Sequence, residues 1–63
     1  MWIIEQQLSK PWQWRHVRRS PGFKTAKQAE HYATVKGFNV ATHRIRKIES
    51  EKEFAKYRKY LLT

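Results

Sequence analysis

The chain has 63 residues, 14 of them Lys or Arg against five Glu, with no Asp and no Cys, for a formal charge of +9. A chain of this size forms one small domain, burying only about 60% of its unfolded surface, and the lack of cysteine excludes a disulfide framework and a thiolate metal site. The charge favours polyanionic partners: nucleic acid first, acidic protein surfaces second, anionic membranes third.

No apolar run exceeds four residues, so no stretch is long enough to span a bilayer. The start, Met1-Trp2-Ile3-Ile4-Glu5, lacks the basic-then-apolar order of a signal peptide. The expected location is cytoplasmic, with no membrane partner.

In chain order, residues 2–8 predict a first strand, with Trp2, Ile4 and Leu8 on one face and Ile3, Glu5 and Gln7 on the other. Pro11 interrupts the run, because proline cannot donate to a ladder. Residues 12–19 predict a second strand that pairs back as a hairpin. Its alternation sets Trp12, Trp14, His16 and Arg18 against Gln13, Arg15, Val17 and Arg19. Ser20-Pro21-Gly22 breaks the chain again, and Phe23-Lys24 offers a short extended step.

Thr25 with Gln28 three residues on is a capping-box pattern, and Gly37-Phe38 reads as a left-handed C-cap with its trailing apolar contact. A helix over 26–36 follows, with Ala26, Ala29, Tyr32 and Ala33 on its buried face. Residues 39–48 predict a third strand of imperfect alternation, explained by a bulge or by a far end that leaves the sheet. Ser50-x-x-Glu53 is a second capping box, opening a helix over 51–62. Its stripe Phe54, Tyr57 and Leu61 is narrow, which suits light docking or a homodimer; Lys52, Lys56 and Lys59 form the opposite, solvated face, with phosphate contact as their secondary use.

The fold class is therefore α+β: a small three-stranded antiparallel sheet, one packed helix and a C-terminal helix, in the order β-β-α-β-α. Either Trp12 or Trp14 is expected to pack against Ala29 and Ala33, since small folds need large rings.

Three histidines, His16, His31 and His43, are scattered without metal-ligand spacing, and two glycines make no phosphate loop. No cofactor and no metal are expected. The catalytic option is a small ribonuclease with His16 or His43 as general base and arginines stabilising the phosphorane; it ranks third. The cations interleaved with aromatics carry more information. Arg15, Arg18, Arg19, Lys24, Arg44, Arg46 and Lys47 are expected to converge from two inner strands and the turn between them. Such convergence is rewarded by phosphates through charge-assisted bonds and counterion release. Trp12 and Trp14 add surfaces for stacking on unpaired bases.

The run Trp12-x-Trp14-Arg15-x-Val17-Arg18-Arg19, followed by Gly22-Phe23-Lys24-Thr25-Ala26-Lys27-Gln28-Ala29-Glu30-x-Tyr32-Ala33, resembles the arm-type, AP2-like DNA-binding domain of phage integrases. The resemblance covers about residues 12–33. It implies a sheet that reads the major groove, with Arg15, Arg18, Arg19 and Lys24 facing DNA. That family has three strands before its helix, whereas this chain offers two before and one after. Residues 23–48 resemble in pattern small phage inhibitors of host polymerase, a likeness that implies a protein-binding role.

The sequence thus points to a non-enzymatic nucleic-acid-binding accessory protein of phage or mobile-element type, DNA ahead of RNA. The alternative is an inhibitor or adaptor that docks its basic face on an acidic patch of a host nucleic-acid enzyme.

Overall fold

Two consecutive isoleucines place the first strand at the centre of the sheet. Ile3 and Ile4 point to opposite faces and both are fully buried, so the strand that carries them is covered on both sides. That strand, β1 (Trp2–Gln7), pairs antiparallel with β2 (Trp14–His16) on one edge and β3 (His43–Lys47) on the other. The remaining elements are α1 (Ala26–Lys36), α2 (Glu51–Tyr57) and a 3-10 turn at Arg58–Tyr60. The structure is a computed structural model and describes residues 1–61. Its element order, β-β-α-β-α with a three-stranded antiparallel sheet, is the α+β class expected from the sequence.

The register assigns the two faces. Ile4 opposes Ile45, Trp2 opposes Lys47, and Gln6 lies between Arg15 and His43. This first face receives α1, whose buried Ala29 packs with Ile4 and Phe23. Trp2, Val17, Tyr32, Ala33, Phe38 and Ile45 close around them. The alanines allow the helix to approach the strands closely. Burying one isoleucine side chain contributes about 1.5–3 kcal/mol, so Ile4 alone is a large share of the stability of a domain this small. The tryptophan of this core is Trp2. Trp12 is 72% exposed at the tip of the β1–β2 connection, and Trp14 lies on the second face. The expected packing of Trp12 or Trp14 on Ala29 and Ala33 is therefore corrected.

Local chemistry sets the ends of α1 at the predicted residues. Thr25 Oγ1 accepts from the Gln28 amide at 3.2 Å, and Gly37 takes φ 71°. The Phe38 amide donates to the Ala33 carbonyl at 3.0 Å, completing the left-handed cap.

The strands are shorter than predicted for identifiable reasons. A turn closed by the Gln13 amide on the Lys10 carbonyl removes Trp12 and Gln13 from β2. A second turn, Ser20 N–H to Val17 carbonyl at 3.0 Å, ends the hairpin arm. It places Arg19 at φ 67°, a left-handed backbone without a glycine. The predicted third strand loses residues 39–42 to an Asx turn: Asn39 Oδ1 accepts from the Ala41 amide at 2.8 Å. Val40 consequently stands in solvent. The expectation of a bulge or of a far end outside the sheet is corrected: the N-terminal end of the segment leaves it, and His43–Lys47 pairs with β1 in continuous register.

The second face carries Ile3, Glu5 and Gln7 from β1, Trp14 and His16 from β2, and Arg44 and Arg46 from β3. Over it lie α2 and the 3-10 turn. Their attachment is by side chains and one backbone link: Gly22 N–H donates to the Tyr60 carbonyl at 2.7 Å, and Gly22 bridges Leu61 in parallel. The predicted helix over 51–62 ends at Tyr57, and its predicted end at Leu62 lies outside the described residues. Ser50 is the N-cap residue but makes no side-chain cap bond. The expected capping box does not form, because Glu53 is committed to Arg46. The guanidinium offers the Glu53 carboxylate two charge-assisted bonds, where the cap amide would offer one. The stripe, expected to dock lightly on the domain or to meet a second copy, makes contacts within the chain. Tyr57 packs on His16, Leu61 bridges Gly22, and Phe54 is left partly exposed.

Candidate nucleic-acid interface

The expected cations divide into separate groups, and the strand order is the cause. Because β1 lies between β2 and β3, the two arginine-bearing strands are opposite edges of the sheet, not neighbours. The expectation of two adjoining basic strands is corrected on this point.

Arg44 and Arg46 form the first group, and both are matched with acid. Glu5 is buried at the centre of the second face, its side chain 6% exposed. Its Oε1 accepts from Arg44 Nε at 2.8 Å and lies 3.0 Å from Arg46 Nε. Arg46 also grips Glu53 with both terminal nitrogens, at 2.8 and 3.3 Å. The Glu53 bond, with help from Glu5, holds the Arg46 guanidinium even more firmly protonated than usual. The same bond pulls the Glu53 carboxyl below its ordinary value. Arg44 lies over the Trp14 indole at 4.2 Å. This network keeps a buried carboxylate paired, since a lone one costs several kcal/mol.

Lys47 and Lys24 stand apart. Lys47 faces Trp2 on the first side, its Nζ 6.0 Å from the ring centroid. Lys24 borders a shallow depression of about 510 Å³ beside Phe23, Tyr32 and Val35.

Arg15, Arg18 and Arg19 form the last group, and here the structure adds partners. They line an open cleft of about 630 Å³ together with Lys56 and Lys59. The β2 strand and the turn Val17–Ser20 supply one wall; α2 and the 3-10 turn supply the other. Trp14, His16, Tyr57, Tyr60 and Glu5 complete the lining. The cleft thus borders five cations and one carboxylate; Arg15, paired opposite Gln6 on the first face, reaches it from the β2 edge, and the carboxylate is already bonded to Arg44. Among the described residues, Arg44 and Arg46 are the only cations held in ion pairs. Trp12 stays outside the cleft, with Lys10 Nζ 5.5 Å from its ring.

Lys56 and Lys59 entered the sequence reading as a solvated stripe with phosphate contact as a secondary use, and Tyr60 not at all. A signal was present. Lys56-Tyr57 repeats as Lys59-Tyr60 three residues later, one turn of helix on. It sets two lysines and two rings on one side. The rings meet His16: its centroid is 5.5 Å from Tyr57, edge-on, and 4.7 Å from Tyr60. Burial is the largest influence on His16 and lowers its pKa, against the opposing pull of the Ser20 backbone and Glu5. Its Nε2 is buried without a hydrogen-bond partner among the described residues.

His43 is elsewhere. It stacks on Phe38 at 4.6 Å, and its Nδ1 lies 3.1 Å from the Asn39 carbonyl and 3.0 Å from Thr42 Oγ1. His16 and His43 occupy opposite faces of the sheet, so they do not flank one phosphate. Among the described residues no group of three His or acidic side chains is placed to hold a metal ion. No helix among them is long and apolar enough to cross a membrane.

No protein-family model matches the chain, and no curated protein or solved structure matches it.

Proposed function

We propose that this chain is a small nucleic-acid-binding protein without catalytic activity, an accessory factor of the kind phages and mobile elements carry. One observation supports this reading above the rest. Arg15, Arg18 and Arg19 meet Lys56 and Lys59 around a single aromatic-lined cleft, in a chain of charge +9. Like charges brought together repel, and a polyanion relieves that repulsion while releasing its own counterions. The contact surface is the cleft at the β2 edge, smaller than a whole sheet face. Arg44 and Arg46 hold the fold behind it.

A salt titration tests the proposal. Five neutralised phosphates give a log–log slope of about −4.5 on duplex DNA and about −3.5 on a single strand. Substituting Arg18 and Arg19 by Ala lowers the magnitude of the slope by about 0.7–0.9 per cation removed. Failure to bind any nucleic acid at about 50 mM salt rejects the reading. The competing role, a basic face docked on an acidic host protein, draws on the same arginines and rings. It is favoured instead if a protein partner survives nuclease treatment and competes for the Arg18 and Arg19 surface.

A further inference from the structure

We infer that the cleft takes a single strand of nucleic acid, with one unpaired base stacked on Trp14 and the neighbouring phosphates on the two cationic walls. The inference rests on the nucleic-acid reading above and sharpens it to one form of the polymer.

Four observations carry it. The first is what covers the sheet. A duplex groove is read by a helix or a two-stranded ribbon that fits a width of about 12 Å. Here α1 packs on the first face and α2 lies across the second, so neither face is open to a groove. The outward side of α1 mixes Lys27 and His31 with Glu30 and Thr34 and offers no uniform positive ridge. The second is shape. The cationic surface is concave, and its roughly 630 Å³ is on the scale of a bound small molecule, room for one or two nucleotides. The rigid convex backbone of a duplex does not enter a hollow of that size. An unpaired nucleotide does.

The third observation is the ring. Arg44 covers one side of the Trp14 indole at 4.2 Å and is not part of the cleft lining, whereas Trp14 is. The ring is braced on one side by a guanidinium that Glu5 anchors at 2.8 Å, and Trp14 itself lines the cleft. A base laid there gains stacking on an indole already fixed in place. The fourth is the arrangement of charge. Arg18 and Arg19 belong to the turn on one wall and Lys56 and Lys59 to the helical segment on the other. Trp14 shares its wall with Arg18 and Arg19 and faces a second wall that carries Lys56 and Lys59, so cations from both walls are available to the phosphates that flank a stacked base. Non-specific single-strand sites are built in this way, from a positive groove and aromatic platforms.

Fluorescence anisotropy with three labelled probes decides the matter: a short oligothymidylate, an abasic deoxyribose-phosphate strand of equal length, and a duplex of equal length. The thymidylate should bind the native protein about tenfold more tightly than the abasic strand, the worth of one stacked base. It should also outcompete the duplex, although the duplex has the higher charge density. Trp14→Leu should erase the preference for thymidylate over the abasic strand, and Trp14→Phe should keep most of it. Equal binding of the thymidylate and abasic strands by the native protein overturns the inference, as does preference for the duplex. So does a Trp14→Leu protein, folded by circular dichroism, that keeps the base preference. In those cases the salt-dependent binding itself persists and the broader reading stands. Absence of binding to all three probes at low salt defeats both.

Discussion

The two edges of the sheet spend their arginines differently. On β3, Arg44 and Arg46 point onto the second face and meet Glu5 and Glu53, so their charge is consumed inside the molecule. Beside β2, Arg15, Arg18 and Arg19 meet two lysines and the single carboxylate of Glu5, which the other edge has already engaged. A count of basic residues treats these arginines alike. What separates them is the position of two glutamates. The first group should answer to stability measurements and the second to binding measurements.

The largest expected effect comes from breaking the matched edge. Arg46→Ala removes the partner that ties Glu53 to the sheet and half of the support for Glu5. A loss of about 2–3 kcal/mol in denaturant unfolding is expected, below the full range for a wholly buried pair because the arginines are partly exposed. The slope of binding against salt should stay unchanged, since Arg46 is not at the cleft. A slope that falls with Arg46→Ala would place phosphate on the wrong edge.

Next in size is the converse experiment. Arg18→Ala combined with Lys59→Ala takes one cation from each wall of the cleft. Stability should move by no more than about 0.5 kcal/mol per site, as for ordinary surface substitutions. The salt slope should lose about 1.4–1.8 in magnitude. Thermal unfolding and a salt series on the same preparations separate the two readouts.

A smaller effect, of opposite sign for the two readouts, is expected at Arg19. A side chain held at φ 67° costs about 1–2 kcal/mol, and glycine adopts that backbone freely. Arg19→Gly should therefore stabilise the fold by about 1 kcal/mol, part of the gain being lost to the greater freedom of the unfolded glycine. It should also weaken nucleic-acid binding. Strain retained at a position that faces a ligand fits a functional constraint. An Arg19→Gly protein that is more stable and binds equally well would remove that explanation.

The mildest effect is on pH dependence. His16 titrates lower in the folded protein than its ordinary 6.5 because burial opposes its charge. In the interval below 6.5 the unfolded chain therefore binds the extra proton and the folded chain does not. Stability is full above about pH 7 and declines as pH falls through 6.5 toward the lowered value. His16→Phe retains a ring against Tyr57 and Tyr60 and should flatten this decline. Unfolding curves at pH 5.5 and 7.5 (about two units apart, spanning the ordinary histidine range) provide the comparison.

The same contrast explains what could be read in advance. The helix α1 was legible because its signals are local: Thr25 caps through its own side chain, and Gly37 supplies the left-handed residue. Strand lengths were not, because the turn at Arg19 uses a residue type that carries no turn signal, while the Asn39 turn sits inside an otherwise strand-like run. Arg15, Arg18 and Arg19 were visible as a cluster because they are close in sequence. The acids that neutralise Arg44 and Arg46 are long-range in one case, Glu5 being 39 residues from Arg44, and were claimed by a helix cap in the other. Lys56 and Lys59 joined the site through long-range contacts that no local pattern announces: Glu53 on Arg46, Tyr57 and Tyr60 on His16, and the link of Gly22 to Tyr60 and Leu61.

That link has a mechanical meaning. Among the described residues, the backbone of the second wall meets the remainder of the molecule at Gly22, through a hydrogen bond of 2.7 Å to the Tyr60 carbonyl and the parallel bridge to Leu61. The core around Ile4, Phe23 and Ala29 does not depend on it. Beyond that link the wall is held by side chains, Glu53 on Arg46 and Tyr57 and Tyr60 on His16, so the breadth of the cleft is a softer coordinate than the fold. Amide hydrogen exchange at Gly22 should register this softness in the empty protein and slow when the cleft is filled, while the amides of β1 hardly change.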